Sequence, residues 1–350
     1  MKRDRNIDLI KCIGIFIVVL IHFGPIRYDN VDGILGFNFY LVYRSILSVG
    51  VPLMLIGFGY LTIDKTYSIK AMIKRIIHIF ILIIVYKLLY GVIFTFRLMS
   101  FDDFIFSVFT TGVRGFRANH LWFMYALIAI YFLKPIISSV AKDKWKFNYL
   151  CLLVLIYPFV FQNFEMWLNA RQDFNVQLAQ TLYPLTTHFQ FAIGFYLVGC
   201  WIKKNEKRVK TTFDPLKIRT LLMIVGVSVM MLAYFAVLMT NHTTTLFDPM
   251  YNGYATLFTL ISSILIFIIL KYKIKPVPSS KIISDLSKHS FGIYLLHWPI
   301  AYYVKGFLID ESRSISYVSN FILSILILIL CLYITKLLKI NKITCRLISF

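Results

Sequence analysis

Ten stretches of mainly apolar residues, each approaching or reaching the roughly 20 needed to cross the hydrocarbon core of a bilayer, constrain this chain more than anything else in it. They run near 7–27, 42–63, 76–96, 120–141, 147–164, 186–203, 217–240, 254–271, 290–309 and 316–336. Hydrophobic residues fill 59% of 350 positions and charged residues 15%, which leaves more apolar surface than a soluble domain of this length can bury. The bilayer must act as solvent. The expectation is an all-α, polytopic membrane protein of about ten transmembrane helices. It forms a single membrane domain over 1–350, without a soluble domain, long low-complexity tract or internal repeat.

The first stretch follows a basic start (Lys2, Arg3, Arg5) and so has the outline of a secretory signal. Asp8 and Lys11 interrupt its apolar run, and no small-x-small cleavage site follows His22 and Pro25, so it reads as a retained span. The net charge of +21 raises nucleic acid as a partner, but its distribution argues otherwise. With the N-terminus in the cytoplasm, segments 1–6, 64–75, 142–146, 203–219, 271–288 and 336–350 hold 26 of the 37 lysines and arginines. The external segments hold only Arg97, Arg114, Arg117, Arg171 and Arg313. That asymmetry is the positive-inside pattern. It places both termini in the cytoplasm and makes membrane lipids, through their anionic headgroups, the first partner of the basic segments.

The five cysteines (Cys12, Cys151, Cys200, Cys331, Cys345) lie in spans or at cytoplasmic ends, with neither metal-ligand spacing nor a paired extracellular framework. No metal site is expected. The external connections after spans one, three, five and seven are long for helical hairpins and have the length of a lid. Within them, 101–119 mixes aromatics, acids and arginines in the manner of a short interfacial helix. The stretch 275–289 is a cytoplasmic linker stiffened by Pro276 and Pro278.

A charge at membrane depth costs several kcal/mol on insertion scales, so each one needs a partner, a cavity or a function. In span one Lys11 and His22 stand eleven residues apart. That is about three turns, which puts them on one helix face roughly 16 Å apart along the axis. Asp8 shares that face. Lys11 reads equally as a lysine that snorkels to the interface, paired with Asp8. His22 is the stronger functional candidate, because imidazole is the side chain best poised for proton transfer near neutral pH.

Arg27 and Arg44 sit near the outer ends of spans one and two, and His120 with Trp122 opens span four from the same side. Together they form either an outer polar cluster or an aromatic belt with interfacial arginines. Span nine presents SFGIYLLHWPI (290–300), with Ser290, Tyr294 and His297 on one face and Pro299 freeing a backbone carbonyl beside His297. His297 also reads as a packing histidine. Apart from Asp8 no carboxylate falls well inside a span, and all three glutamates (Glu165, Glu206, Glu311) lie in loops. Ion-coupled transport usually relies on such acids, so a coupled transporter is disfavoured.

Four segments carry a resemblance. RNIDLIKCIGIFIVVLIHF (5–23) contains a basic residue, ten intervening residues and a histidine. GVPLMLIGFGYL (50–61), HLWFMYALIAIYFLKPII (120–137) and SFGIYLLHWPI (290–300) follow in order. The chain resembles the acyltransferase 3 family of membrane proteins, many of which decorate bacterial surface polysaccharides with short acyl groups. It departs in having Lys11 where many members have arginine, which rules out bidentate anion binding there, and Gly57 at a usual serine. No SGNH-type esterase domain follows span ten, as in the stand-alone branch.

The resemblance implies a bacterial cytoplasmic-membrane enzyme with no permanently bound cofactor. Acyl-CoA, with acetyl-CoA the base-rate choice, would serve as co-substrate, and a polysaccharide or lipid-linked sugar as acceptor. On that reading His22 is the catalytic base. Lys11, Tyr294 and His297 serve the donor, with Lys74 or Arg75 as additional cations. Arg44, His120 and Trp122 shape the acceptor site or polarise the oxyanion. Two other classes fit the same spans: a glycan or lipid transporter, and a component of an export complex that transfers no acyl group.

Overall fold

The computed structural model describes residues 3–23, 33–65, 67–95, 102, 104–105, 108, 119–171, 190–242, 253–308 and 317–349. Arg27, the interfacial helix expected over 101–119 and the long connections read as a lid lie wholly or largely outside them. The described residues are helical and contain no strand. In chain order the helices are α1 (Arg5–Phe23), α2 (Gly33–Leu47), α3 (Gly50–Thr62), α4 (Ile69–Thr95), α5 (Trp122–Val140), α6 (Lys144–Ile156), α7 (Gln162–Arg171), α8 (Gln190–Lys204), α9 (Glu206–Phe213), α10 (Ile218–His242), α11 (Leu257–Ile268), α12 (Lys281–Leu308), α13 (Tyr317–Leu338) and α14 (Lys342–Ile348). A π-helical turn, Tyr157–Phe161, joins α6 to α7, and another, Ile269–Lys273, extends α11.

Among the described residues, six stretches are long and apolar enough to cross a membrane: Phe39–Thr62, Ile69–Phe94, Trp122–Val140, Lys144–Glu165, Ile218–Thr240 and Tyr317–Leu338. These match the second, third, fourth, fifth, seventh and tenth stretches read from the sequence. The other four also form helices, but shorter or more polar ones. In α1 the run is broken by Asp8 and Lys11, and in α12 by histidines, serines and Pro299. Those two helices carry most of the candidate chemistry.

The chain divides into two compact units. The first holds 1–21, 26–65 and 140–287; the second holds 22–25, 66–139 and 288–350. In the first, α3 and α8 cross at two glycines. A Cβ on Gly59 would lie 2.0 Å from the Tyr196 carbonyl oxygen, and one on Gly199 would lie 2.0 Å from that of Ile56. Lipid is as apolar as leucine, so membrane helices gain little from hydrophobic association and rely on such close backbone packing. Two buried hydroxyls here bond back within their own helices: Ser45 donates to Leu41 O at 2.8 Å, and Thr62 to Phe58 O at 2.7 Å.

The start of α1 is tied to the end of the α11 extension and the linker beyond it. Asn6 donates to Lys271 O and Ile274 O at 3.1 and 3.3 Å and accepts from Val277 N at 3.2 Å, so one buried amide closes three backbone groups of a turn with no helical partners. Asp8 accepts from Ser287 Oγ at 2.6 Å and pairs with Arg3 Nε at 2.5 Å. Lys11, three residues on, still feels the Asp8 charge, but the carboxylate oxygens are held by other groups. A guanidinium five residues back reaches the carboxylate across the helix end, and Ser287 takes the second oxygen.

In the second unit, α4 exposes Ile69, Ile73, Ile77, Ile81 and Leu88. The four-residue spacing of the isoleucines makes one continuous apolar stripe, the surface of a helix solvated by lipid chains. The buried side of α4 carries Ile79, Leu82, Ile83, Tyr86 and Tyr90. Near its end, Tyr303 of α12 donates its hydroxyl to Ile93 O. The Phe94 ring meets Tyr302 edge-on at 4.8 Å, so α4 and α12 are knitted together there.

Candidate active site

Three histidines far apart in sequence meet in the second unit. The ring centroids of His22 and His297 are 5.1 Å apart, those of His120 and His297 5.4 Å, and those of His22 and His120 6.0 Å. His22 ends α1, His120 lies in the 3-10 turn Asn119–Leu121 that leads into α5, and His297 lies on α12. His297 is fully buried and His120 is 3% exposed. Trp298 closes the group, stacking on His120 at 5.3 Å and standing edge-on to His22 at 4.8 Å. No group of histidine, cysteine, aspartate or glutamate among the described residues has metal-binding geometry.

The local sequence explains why the rings are held. Pro299 has no N–H, so the carbonyl four residues back, Leu295 O, lacks its helical donor. The hydroxyl of Tyr90, on α4, donates to that carbonyl. The only hydrogen on the Tyr90 oxygen is thereby used, and the contact at 3.3 Å between that oxygen and His120 Nε2 must be a bond donated by the imidazole. His120 is the Nε2–H tautomer and its Nδ1 carries a lone pair. His297 Nδ1 lies 2.6 Å from Tyr294 O and 3.3 Å from Ile293 O. Carbonyls only accept, so Nδ1 carries the proton and Nε2 the lone pair. Tyr294 in turn donates its hydroxyl to His120 O at 2.6 Å, fixing the turn against α12.

This arrangement leaves three buried atoms without a protein hydrogen-bond partner: His120 Nδ1, His297 Nε2 and Trp298 Nε1. The first two are acceptors and the third is a donor. Buried groups of this kind are ordinarily paired, so the cluster has the hydrogen-bonding capacity of a ligand site.

Of the residues singled out from sequence, His22, His120, His297 and Tyr294 are brought together here. Trp122 stands one ring away, edge-on to Phe123 at 6.2 Å, and Phe123 in turn meets Tyr294 at 5.4 Å. Lys11 and Arg44 belong to the first unit. Arg44 is buried with its guanidinium 5.8 Å from the centre of the Tyr40 ring. Arg75 belongs to the second unit and packs over Tyr67 at 4.5 Å while donating to Tyr131 Oη at 3.2 Å. Tyr90 and Trp298 were not singled out. Trp298 was legible as the neighbour of His297, whereas nothing around Tyr90 distinguishes it from the other 21 tyrosines.

A family model described as an acyltransferase domain matches residues 4–337. No curated protein and no solved structure matches the chain.

Proposed function

The chain belongs to the acyltransferase 3 family, and from that membership we propose that it transfers a short acyl group, acetyl first among the candidates, from acyl-CoA on the cytoplasmic side of a bacterial membrane to a hydroxyl of a surface or lipid-linked glycan. The observation that carries this reading is the seating of His22 against His297 and His120, at 5.1 and 6.0 Å, in a buried aromatic site. His22 takes the proton as the acceptor oxygen attacks the thioester carbonyl. The C–O bond forms, the C–S bond breaks, and the thiolate leaves and is protonated by the imidazolium. Base assistance of this kind is typically worth about 10²–10⁴ in rate.

The negative charge that develops on the carbonyl oxygen needs a donor that nothing else occupies. Trp298 Nε1–H is such a donor, in contact with the His22 ring. Tyr90 and Tyr294 act through other residues by holding His120 and Leu295. Lys11 serves the donor's anionic portion as a point charge, and Arg44 serves the acceptor side.

The test is acyl transfer by the purified full chain in proteoliposomes, with labelled acetyl-CoA outside and glycan acceptors on the opposite face. His22→Ala is expected to abolish label transfer while leaving the protein monodisperse. Near-normal transfer by that variant would remove His22 from the mechanism. Glycan movement without CoA release would favour a transporter.

A further inference from the structure

The two faces of α10 differ in kind. On one, Leu221 packs against Leu265 and Ile269, and Ala233 and Ala236 pack against Tyr40 and Leu41. On the other, Arg219, Met223, Gly226, Met230 and Tyr234 are all exposed. Their spacings of four, three, four and four residues set them in one stripe, so helix geometry alone fixes their relative positions. We propose that this stripe is a site for one anionic phospholipid of the cytoplasmic leaflet, its phosphate held by Arg219 and one acyl chain lying in the notch at Gly226. The site lies in the first unit, and nothing in it depends on the acyl-transfer reading.

Arg219 is available to such a ligand. Asp214, the carboxylate nearest to it in sequence, is turned instead to Lys273, whose Nζ lies 4.0 Å from the Asp214 carboxylate and donates to its backbone carbonyl at 2.9 Å. A guanidinium presents a planar fork that matches phosphate oxygens, and Lys217, also exposed, adds a second cation just before the helix. Depth agrees with this assignment. From Arg219 to Met230 the helix rises about 16 Å, close to half of the roughly 30 Å hydrocarbon core. With Arg219 at headgroup level, Gly226 stands about 10 Å inward, among the acyl chains.

Gly226 marks where a chain lies. Gly59 and Gly199 are required by a backbone 2.0 Å from their added Cβ, but an added Cβ on Gly226 meets nothing within 4 Å. A glycine inside a helix is less favourable than alanine, and no protein neighbour accounts for this one. It leaves a gap in the stripe between Met223 and Met230, whose unbranched thioethers adapt to an irregular apolar surface.

Charge selects lipid over a second copy of the chain. Copies in one membrane share an orientation, so a two-fold pairing of this face is parallel and sets Arg219 against Arg219 at the same depth. Like charges disfavour that contact. An anionic headgroup complements it.

The full chain is reconstituted in phosphatidylcholine vesicles containing a small fraction of a phosphatidylglycerol with a diazirine-bearing acyl chain, or of its phosphatidylethanolamine counterpart, and the labelled peptides are mapped after photolysis. Labelling within 219–234 is expected to be about fivefold or more higher from the anionic probe. Arg219→Gln is expected to bring that ratio below about twofold. Gly226→Leu fills the notch and is expected to lower labelling by the anionic probe to that seen on the α4 stripe. Unchanged labelling of α4 in both variants shows that they are folded. Equal labelling of 219–234 by the two probes in the unmodified protein, or a ratio untouched by R219Q, overturns the site. Gly226→Cys tests the other occupant: a chain that stays monomeric under oxidation supports lipid, and a disulfide between copies overturns it.

Discussion

The Tyr90 hydroxyl donates to the Leu295 carbonyl, the one group on α12 that Pro299 leaves without a helical donor beside the histidine cluster. A helix defect and a remote tyrosine therefore complete each other.

That relationship is testable as a thermodynamic cycle. Tyr90→Phe leaves a buried carbonyl unpaired and should cost about 1–3 kcal/mol. Pro299→Ala restores the N–H that reaches Leu295 O. In Y90F/P299A the carbonyl is satisfied again, so the double variant should be more stable than the sum of the single changes predicts, by about 0.5 kcal/mol or more. Unfolding of the four proteins in detergent measures the coupling, and strict additivity would dissolve the link.

The crossing of α3 and α8 makes a sharper structural prediction. Gly199→Ala places a methyl group 2.0 Å from the Ile56 carbonyl oxygen, so α3 and α8 must separate and the yield of monodisperse protein should collapse. Gly226→Ala is the control, since nothing lies within 4 Å of its added Cβ. It should be neutral or stabilising by up to about 1 kcal/mol. Equal yields for the two variants would mean that the crossing tolerates expansion.

If the Trp298 indole N–H steadies the developing oxyanion, Trp298→Phe keeps an aromatic ring on His120 and removes only the donor. The expected result is kcat lower by about 10²–10³ with little change in KM for the acyl donor. Steady-state kinetics with acetyl-CoA decides it; an unchanged kcat excludes the role.

Glu206, in the short α9, supplies a pH dependence of stability. Burial alone would raise its pKa. Hydrogen bonds from Tyr60 at 2.8 Å and Lys203 at 3.1 Å, with the charges of Lys203 and Lys210, outweigh that and hold it below the ordinary 4.5. A carboxyl depressed on folding contributes stability that is present above its unfolded pKa and lost as pH falls through the folded one. The midpoint of thermal unfolding should therefore drop as pH is lowered from 5 toward 3, by less in Glu206→Gln than in the parent protein. Parallel curves for the two proteins would assign no role to this carboxyl.

Much of this was legible in the sequence because lipid imposes strict rules. Apolar runs of spanning length became helices, and polar residues within two of them, His22 in α1 and Tyr294 and His297 in α12, are brought together in the candidate site. His120 was legible from its place at the head of an apolar run. The Arg3 partner of Asp8 was not legible, since helix spacing points to Lys11 and only the path of the chain before α1 brings Arg3 to the carboxylate. Tyr90 was not legible at all. It reaches a carbonyl 205 residues away in sequence, and no periodicity in α4 marks it.

The sequence by itself determined that the chain is built of membrane helices and that histidines rather than carboxylates are the polar groups at depth in its spans. Burial cost dictates both, because apolar length and the scarcity of charge are properties of composition and order alone; membership of an acyltransferase family was legible separately, from four motifs in order. Only the tertiary structure decided which nitrogens of His120 and His297 are protonated, and therefore which atoms remain without a protein partner. A tautomer is set by the partner of the other nitrogen, and that partner is a carbonyl or hydroxyl positioned by the packing of helices far apart in the chain.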